Sequence, residues 1–250
     1  MELFPDRAHV RLLSRVHGTY LHANEDGWSV SLSPHRASLN TAWAVHRLEH
    51  VGVSYVLLHS AAYGRYLAVL PHPSLEDQQL GVFQRVYDTP IQGDIMWEIF
   101  PAGDGNGGVE LRHTVHPYFG LPHWTVEAIP PRPLPPNLPE EIPNGVEHPV
   151  VLRRIIRYVR ANNFGIFNLP WRTFRLNGRS VVDLVGALGV ILGANFNNIT
   201  LCVRAGFHGR LTPLVIDLPI SEEPMDIVVF VTGAPGSLRC SETFCSFVYV

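Results

Sequence analysis

One stretch of fourteen residues occurs twice in this chain. Val10-Arg-Leu-Leu-Ser-Arg-Val-His-Gly-Thr-Tyr-Leu-His-Ala23 returns as Val56-Leu-Leu-His-Ser-Ala-Ala-Tyr-Gly-Arg-Tyr-Leu-Ala-Val69. Val10/Val56, Leu12/Leu58, Ser14/Ser60, Gly18/Gly64, Tyr20/Tyr66 and Leu21/Leu67 are identical at a constant offset of 46. Apolar residues alternating around a glycine describe two strands and a tight turn, so the chain uses one hairpin more than once.

Each copy also ends alike. The first runs through Trp28-Ser-Val-Ser-Leu32 to a strand around Trp43, the second through Val82-Phe-Gln-Arg-Val86 to a strand around Trp97. A third copy opens at Val109, with Val109, Leu111, Val115 and His116 in register with Val10, Leu12, Val16 and His17. Pro117 replaces the turn glycine, which changes the turn geometry. No closing Trp strand is read after it, so the third lobe is expected to be shortened. Four strands per repeat, three times over, is the rhythm of an all-β β-trefoil, assigned to residues 1–129.

Residues 130–149 hold eight prolines and are expected to form an extended linker. Beyond it the pattern changes. Strands around Arg154-Ile-Ile-Arg-Tyr-Val159 and Trp171-Arg-Thr-Phe-Arg-Leu176 precede a helix capped by Ser180, with Val181, Leu184, Val185, Leu188 and Ile191 on one face. Strands at residues 199–203, 211–218 and 225–231 follow. That ββαβββ order predicts an α+β ubiquitin-like β-grasp domain over residues 150–232, hung as a separate module on a stiff hinge, with a tail at 233–250.

Charge is uneven: residues 1–129 carry 8 Arg against 13 acids, residues 150–250 carry 10 against 6, and the whole chain stands at −3. Neither half is basic enough to imply nucleic acid as a partner. All 19 cations are arginine. Eleven of the 13 histidines precede residue 124 and are expected at solvated loop and strand-edge positions. They would shift the acidic half towards positive as pH falls through about 6.5. No apolar run reaches the roughly 18 residues of a membrane span, and no secretory signal is read at the N-terminus. Cys202, Cys240 and Cys245 fit a reducing compartment, so the expected location is the cytoplasm, with access to the nucleus.

Searched for chemistry, the sequence offers little. There is no nucleophile elbow, Walker-type loop or His-Glu-x-x-His helix. Residues 103–108 are glycine-rich but precede a strand, so they read as a hairpin turn. His113 and His116 have no third ligand at a telling spacing. Cys240 and Cys245 lie in the tail, and Glu140-Glu141 and Glu222-Glu223 read as solvated loop carboxylates. Tyr20, Tyr66, Trp43 and Trp97 suggest a sugar-stacking surface but, at matching repeat positions, are expected in the core. The chain is therefore expected to have no catalytic, cofactor-binding or metal-binding residues, no cofactor and no enzymatic activity.

These stretches resemble a plant family, the domain of unknown function 569 family. The similarity is carried by Met1-Glu-Leu-Phe4, Ala42-Trp-Ala-Val45, Gly64-Arg-Tyr-Leu67, Gly120-Leu-Pro-His-Trp124, Phe174-Arg-Leu-Asn-Gly178 and Gly209-Arg-Leu-Thr-Pro-Leu214. The resemblance implies a fascin-like trefoil of the actin-cross-linking superfamily joined to a ubiquitin-like domain. The expected function is a non-catalytic interaction scaffold with an unidentified protein partner. Two alternatives remain: actin-filament binding, disfavoured because an acidic trefoil meets an acidic filament, and lectin-like carbohydrate binding. With Val248-Tyr-Val250 in place of a terminal di-glycine, the second domain is expected to be integral rather than a conjugated modifier.

Overall fold

A computed structural model describes residues 2–69, 81–103, 105, 107–115, 120–131, 152–162, 166–167 and 170–231. The expectations for the proline-rich linker and the C-terminal tail lie outside these residues, apart from the linker's first two positions.

The strands of the first domain are β1 (His9–Ser14), β2 (Tyr20–Ala23), β3 (Val30–Ser33), β4 (Trp43–His50) and β5 (Val53–Ser60), then β6 (Tyr66–Val69), β7 (Val82–Arg85), β8 (Trp97–Pro101), β9 (Val109–His113) and β10 (Gly120–Ile129). Six of them close a ring of antiparallel pairs: β1 with β4, β4 with β5, β5 with β8, β8 with β9, β9 with β10, and β10 back to β1. Closure leaves no sheet edge in the ring. Inward-pointing Val10, Leu12, Val45, Val56, Leu58, Val109 and Leu111 fill its interior. The β2–β3 and β6–β7 hairpins lie off the ring and meet each other, Trp28 against Phe83 at 5.4 Å between ring centroids.

Three tryptophans mark the repeat. Trp43 pairs with Val10 and Ser60, Trp97 with Val56 and His113, Trp124 with Val109 and Ser14. Each therefore sits between the valine that opens its own lobe and the residue four places into the next. The closing strand expected to be missing from the third lobe is present: it is β10, and it pairs with all six residues of β1. Sequence spacing hid it, because Val-to-Trp spans 33 and 41 residues in the first two lobes and 15 in the third.

The short lobe works by fusion. Gly120 and Leu121 pair with β9 as β2 and β6 pair with β1 and β5; a bulge follows, with His123 at φ 60°, and Trp124 resumes as a closing strand. One consequence is polar. Trp43 Nε1 donates to the Leu21 carbonyl and Trp97 Nε1 to the Leu67 carbonyl, each at 3.0 Å. In the third lobe the corresponding residue, Leu121, lies in the same strand as Trp124, and the buried Trp124 Nε1 has no partner.

The second domain comprises β11 (Arg153–Arg160), β12 (Arg172–Asn177), α1 (Val181–Leu192), β13 (Ile199–Arg204), β14 (Leu211–Pro213) and β15 (Met225–Val231). Its sheet runs β12-β11-β15-β13-β14, with β11 and β15 parallel, which is the β-grasp order. Ser180 Oγ accepts the Asp183 amide at 3.1 Å to start the helix, and Gly193 ends it at φ 62°. Val181, Leu184, Val185 and Leu188 pack on one face of the sheet. Ile191, expected on that face, is 42% exposed, and Leu192 packs against the core cluster in the last turn. The strand expected over residues 211–218 is shorter, β14 ending at Pro213, with the Leu214 amide still donating to the Leu201 carbonyl at 2.9 Å.

The expectation of a separate module on a hinge is corrected. Val215 and Ile216 of the second domain pack into one cluster with Leu39, Ala42, Ala61, Ala62, Tyr63 and Ile129 of the first. Backbone also bonds to backbone across the seam: Tyr87 donates to the Ala205 carbonyl at 2.9 Å, and His208 donates to the Tyr87 carbonyl at 2.8 Å.

Candidate functional site: the groove between the domains

The seam draws on residues that the sequence presented as ordinary turns. Gly64, a repeat glycine at φ 71°, lets its turn approach the second domain so closely that a Cβ there would lie 3.0 Å from Thr212 Oγ1. Gly206, at φ 95°, presses on the backbone of Tyr87, whose carbonyl oxygen would be 2.5 Å from an added Cβ. No other residue type accommodates both the left-handed backbone and the contact.

Around these contacts, charge alternates across the seam. Arg210 reaches Asp6 at 2.8 Å and the Val45 carbonyl at 3.3 Å, while its amide donates to the Tyr66 hydroxyl at 3.1 Å. Arg179 pairs with Glu25 at 2.9 Å, and Arg65 pairs with Glu223. The acidic first half and the basic second half thus satisfy each other locally. Such exposed pairs contribute modestly one by one but fix the docking register.

Where the two domains diverge they leave a groove of about 750 Å³, lined among others by Arg65, Asp88, Arg157, Trp171, Arg204 and Phe207. The Arg204 guanidinium lies 5.5 Å from the ring centroid of Phe167 and 5.2 Å from that of Phe207, and its Nη2 donates to the Phe207 carbonyl. Phe207 remains 67% exposed, held outward because its amide donates to Asp88 Oδ1 at 2.9 Å. Arg157 Nε pairs with Asp226. Burial raises the Asp226 carboxyl above its usual value, and Arg157 opposes that shift. The groove therefore offers flat aromatic faces and planar cations whose positions are fixed by internal bonds. That arrangement suits recognition by stacking and hydrogen bonding.

The residues weighed from sequence fall elsewhere. Trp43 and Trp97 are wholly buried, and Tyr20 is buried with its hydroxyl donating to Glu127 at 3.1 Å. Tyr66 is buried at the seam. Residues 103–108 connect β8 to β9, with the Ala102 amide donating to the Gly108 carbonyl at 2.9 Å. His113 is buried, while His116, Cys240, Cys245, Glu140 and Glu141 lie outside the described residues. Glu223 pairs with Arg65, and Glu222 accepts the Arg153 amide at 3.1 Å, so neither reads as merely solvated.

His17, His35 and His123 are exposed as expected, but other histidines need a second correction. His9, His46 and His59 are held well below their usual pKa by burial rather than titrating in solvent. Val10, Val45 and Leu58, each a buried strand residue beside one of them, were the available signal. Among the described residues no three or more His, Cys, Asp or Glu group together as metal ligands, and no helix is long and apolar enough to cross a membrane.

Residues 152–230 match the family described as the DUF569 associated ubiquitin-like domain, which agrees with the β-grasp order of the second domain. Among curated proteins no match is found. A solved structure similar to part of the chain is the GlcNAcα1-4Gal releasing endo-β-galactosidase from Clostridium perfringens, at 17% identity and a TM-score of 0.34, covering 49% of this chain and 30% of that one. This chain thus spans under a third of that enzyme's length.

Proposed function

We propose that the protein is a non-catalytic interaction scaffold in which two docked domains build one recognition groove. The observation that carries this reading is Phe207, a large aromatic side chain kept exposed at the groove rim by a hydrogen bond to the other domain. An apolar ring in water is favoured only marginally by the free protein and gains most when a partner covers it. The groove's charged groups are tied to one another or to backbone, which favours binding over proton transfer.

The first domain is read in the same proposal as a fascin-like β-trefoil whose third hairpin has been absorbed into β10. Three Val-Trp pairs at equivalent ring positions support that reading. Actin-filament binding remains the weaker alternative because residues 1–129 carry a net −5. Carbohydrate binding would also use the groove, where Trp171 and Phe207 stand beside Asp88 and Arg204.

The test is a comparison of captured partners. The full chain and its Trp171→Ala/Phe207→Ala variant are immobilised and exposed to the same extract, and bound proteins are quantified. Loss of a defined protein set in the variant, with its melting temperature unchanged, supports the reading. Identical sets from both chains contradict it. Sugar-dependent tryptophan fluorescence that disappears in the variant would assign the groove to carbohydrate instead.

A further inference from the structure

The hairpin β11–β12 has a composition that its fold does not require. Its two strands contain Arg153, Arg154, Arg157, Arg160, Arg172 and Arg175 and not one acidic residue. Arg154 is buried and spent internally, donating to the Pro219 carbonyl at 2.7 Å and to Ser221. The other five are exposed. Pairing register places Arg153, Ile155 and Arg157 on the sheet face away from α1, with Arg175 directly across from Ile155. Ile155, 44% exposed, is thus an apolar residue ringed by three arginines. Of the nearby acids, Asp226 is taken by Arg157 and Glu222 by the Arg153 amide.

The same hairpin ends in an open edge. β12 is the outermost strand of its sheet, and among the described residues nothing pairs with its outer side. The Gly178 amide donates to the Leu152 carbonyl at 2.7 Å, which fixes the alternation of the ladder. The bonded partners are then Leu176, Phe174 and Arg172, and the amides of Thr173, Arg175 and Asn177 point away from β11. Side chains on the two faces of that edge differ. The open face presents Arg175 and the arginines beyond it, while the α1 side presents Phe174, which is half-buried, with the exposed Arg172 beside it.

We propose that this edge receives an extended segment of a partner protein as a sixth strand, in which acidic residues alternate with apolar ones. Acids on one face meet Arg175 and Arg153 as carboxylate–guanidinium pairs, and apolar residues on the other lie against Phe174. A polypeptide fits better than a nucleic acid because an extended chain supplies, in register, acceptors for the outward amides and donors for the outward carbonyls, and because the adjoining barrel is acidic. The inference deepens the scaffold reading, since it names a partner chemistry. It does not depend on the groove residues.

The test uses the full chain and a fluorescein-labelled ten-residue peptide of alternating Glu and Val, read by fluorescence polarisation. The controls are a peptide of the same composition with its five Glu and five Val in two blocks, and a ten-nucleotide oligo-dT. The alternating peptide is expected to bind at least about tenfold more tightly than the block peptide, and its affinity to fall steeply with salt. Arg153→Glu/Arg175→Glu is expected to abolish binding. Thr173→Pro, which removes one outward amide and no ladder bond, is expected to weaken it by about tenfold or more with the melting temperature kept. Equal binding of the block peptide or the oligonucleotide would reduce the surface to a plain cationic patch and overturn the proposal. Indifference to Thr173→Pro, or no binding of the alternating peptide, would overturn it as well. Failure here with partner loss intact in the Trp171→Ala/Phe207→Ala variant would remove this inference and leave the groove reading standing.

Discussion

Thr212 Oγ1 and His59 Nδ1 share a hydrogen bond of 3.1 Å in the seam between the two domains, where Thr212 is 2% exposed and His59 4%. Two polar groups from different domains are thereby removed from water together. Each has the other as its compensation, so neither domain alone would present a comfortable surface at this point. Thr212→Val keeps the shape and deletes the hydroxyl. It is expected to cost about 1–3 kcal/mol, the desolvation penalty of a buried polar group left unpaired. Urea unfolding of the full chain reads this as a lower midpoint at unchanged slope.

The repeat supplies its own control for glycine. Gly18 and Gly64 are equivalent, at φ 66° and φ 71°, but an added Cβ meets nothing within 4 Å at Gly18, whereas at Gly64 it meets Thr212 and Val203. Gly18→Ala is expected to cost about 1–2 kcal/mol from the left-handed backbone alone. Gly64→Ala carries the same cost and about 1–3 kcal/mol more from overpacking the seam. Equal losses in the two variants would mean the docking is not under compression at that turn.

Acid should weaken the fold earlier than carboxylates alone explain. Burial lowers the pKa of His9 and of His46 from 6.5 to about 4, and that of His59 well below 6.5. Between about 6.5 and about 4 the unfolded chain binds protons at these sites and the native chain does not, so stability rises with pH. The full contribution is present above about 6.5 and declines on acidification, by up to about 1.4 kcal/mol per pH unit for each histidine. Urea midpoints measured across this window are expected to drop steadily towards pH 4. A flat profile down to the carboxylate range would contradict the burial of these rings.

The tryptophans should divide by lobe. Trp43→Phe and Trp97→Phe each strand a buried carbonyl, on Leu21 and Leu67, and lose a hydrogen bond worth roughly 1 kcal/mol on top of the lost ring area. Trp124→Phe deletes an indole N–H that has no partner, so it loses the ring area only. Denaturant unfolding of the three variants should show Trp124→Phe to be the mildest by about that margin. Three equal values would place an acceptor at Trp124.

How much of this was legible depends on range. The first two lobes could be read because Gly18/Gly64 and Trp43/Trp97 recur within hairpins, where pattern and contact coincide. The helix behind Ser180 was legible for the same local reason, a cap and a periodic face. β10 was not, because strand fusion removed the spacing that would have marked Trp124 as the third of its kind. Nor was the seam. Thr212, Gly206 and Arg210 carry no periodic signal, and their partners lie more than a hundred residues away in the chain. The groove inherits that opacity, since Asp88 and Phe207 meet only once the domains have docked. Some of the histidines were misplaced because a residue type was weighed without its neighbours: His59 lies between the buried Leu58 and Ser60, whereas His17, His35 and His123 are exposed as expected.

Differential scanning calorimetry of the unmodified full chain tests the central claim, that the barrel and the β-grasp sheet form one cooperative body through their seam. A single transition is expected, with calorimetric and van't Hoff enthalpies equal. Two resolved transitions, unaffected by Thr212→Val, would show the domains unfolding independently and contradict the account.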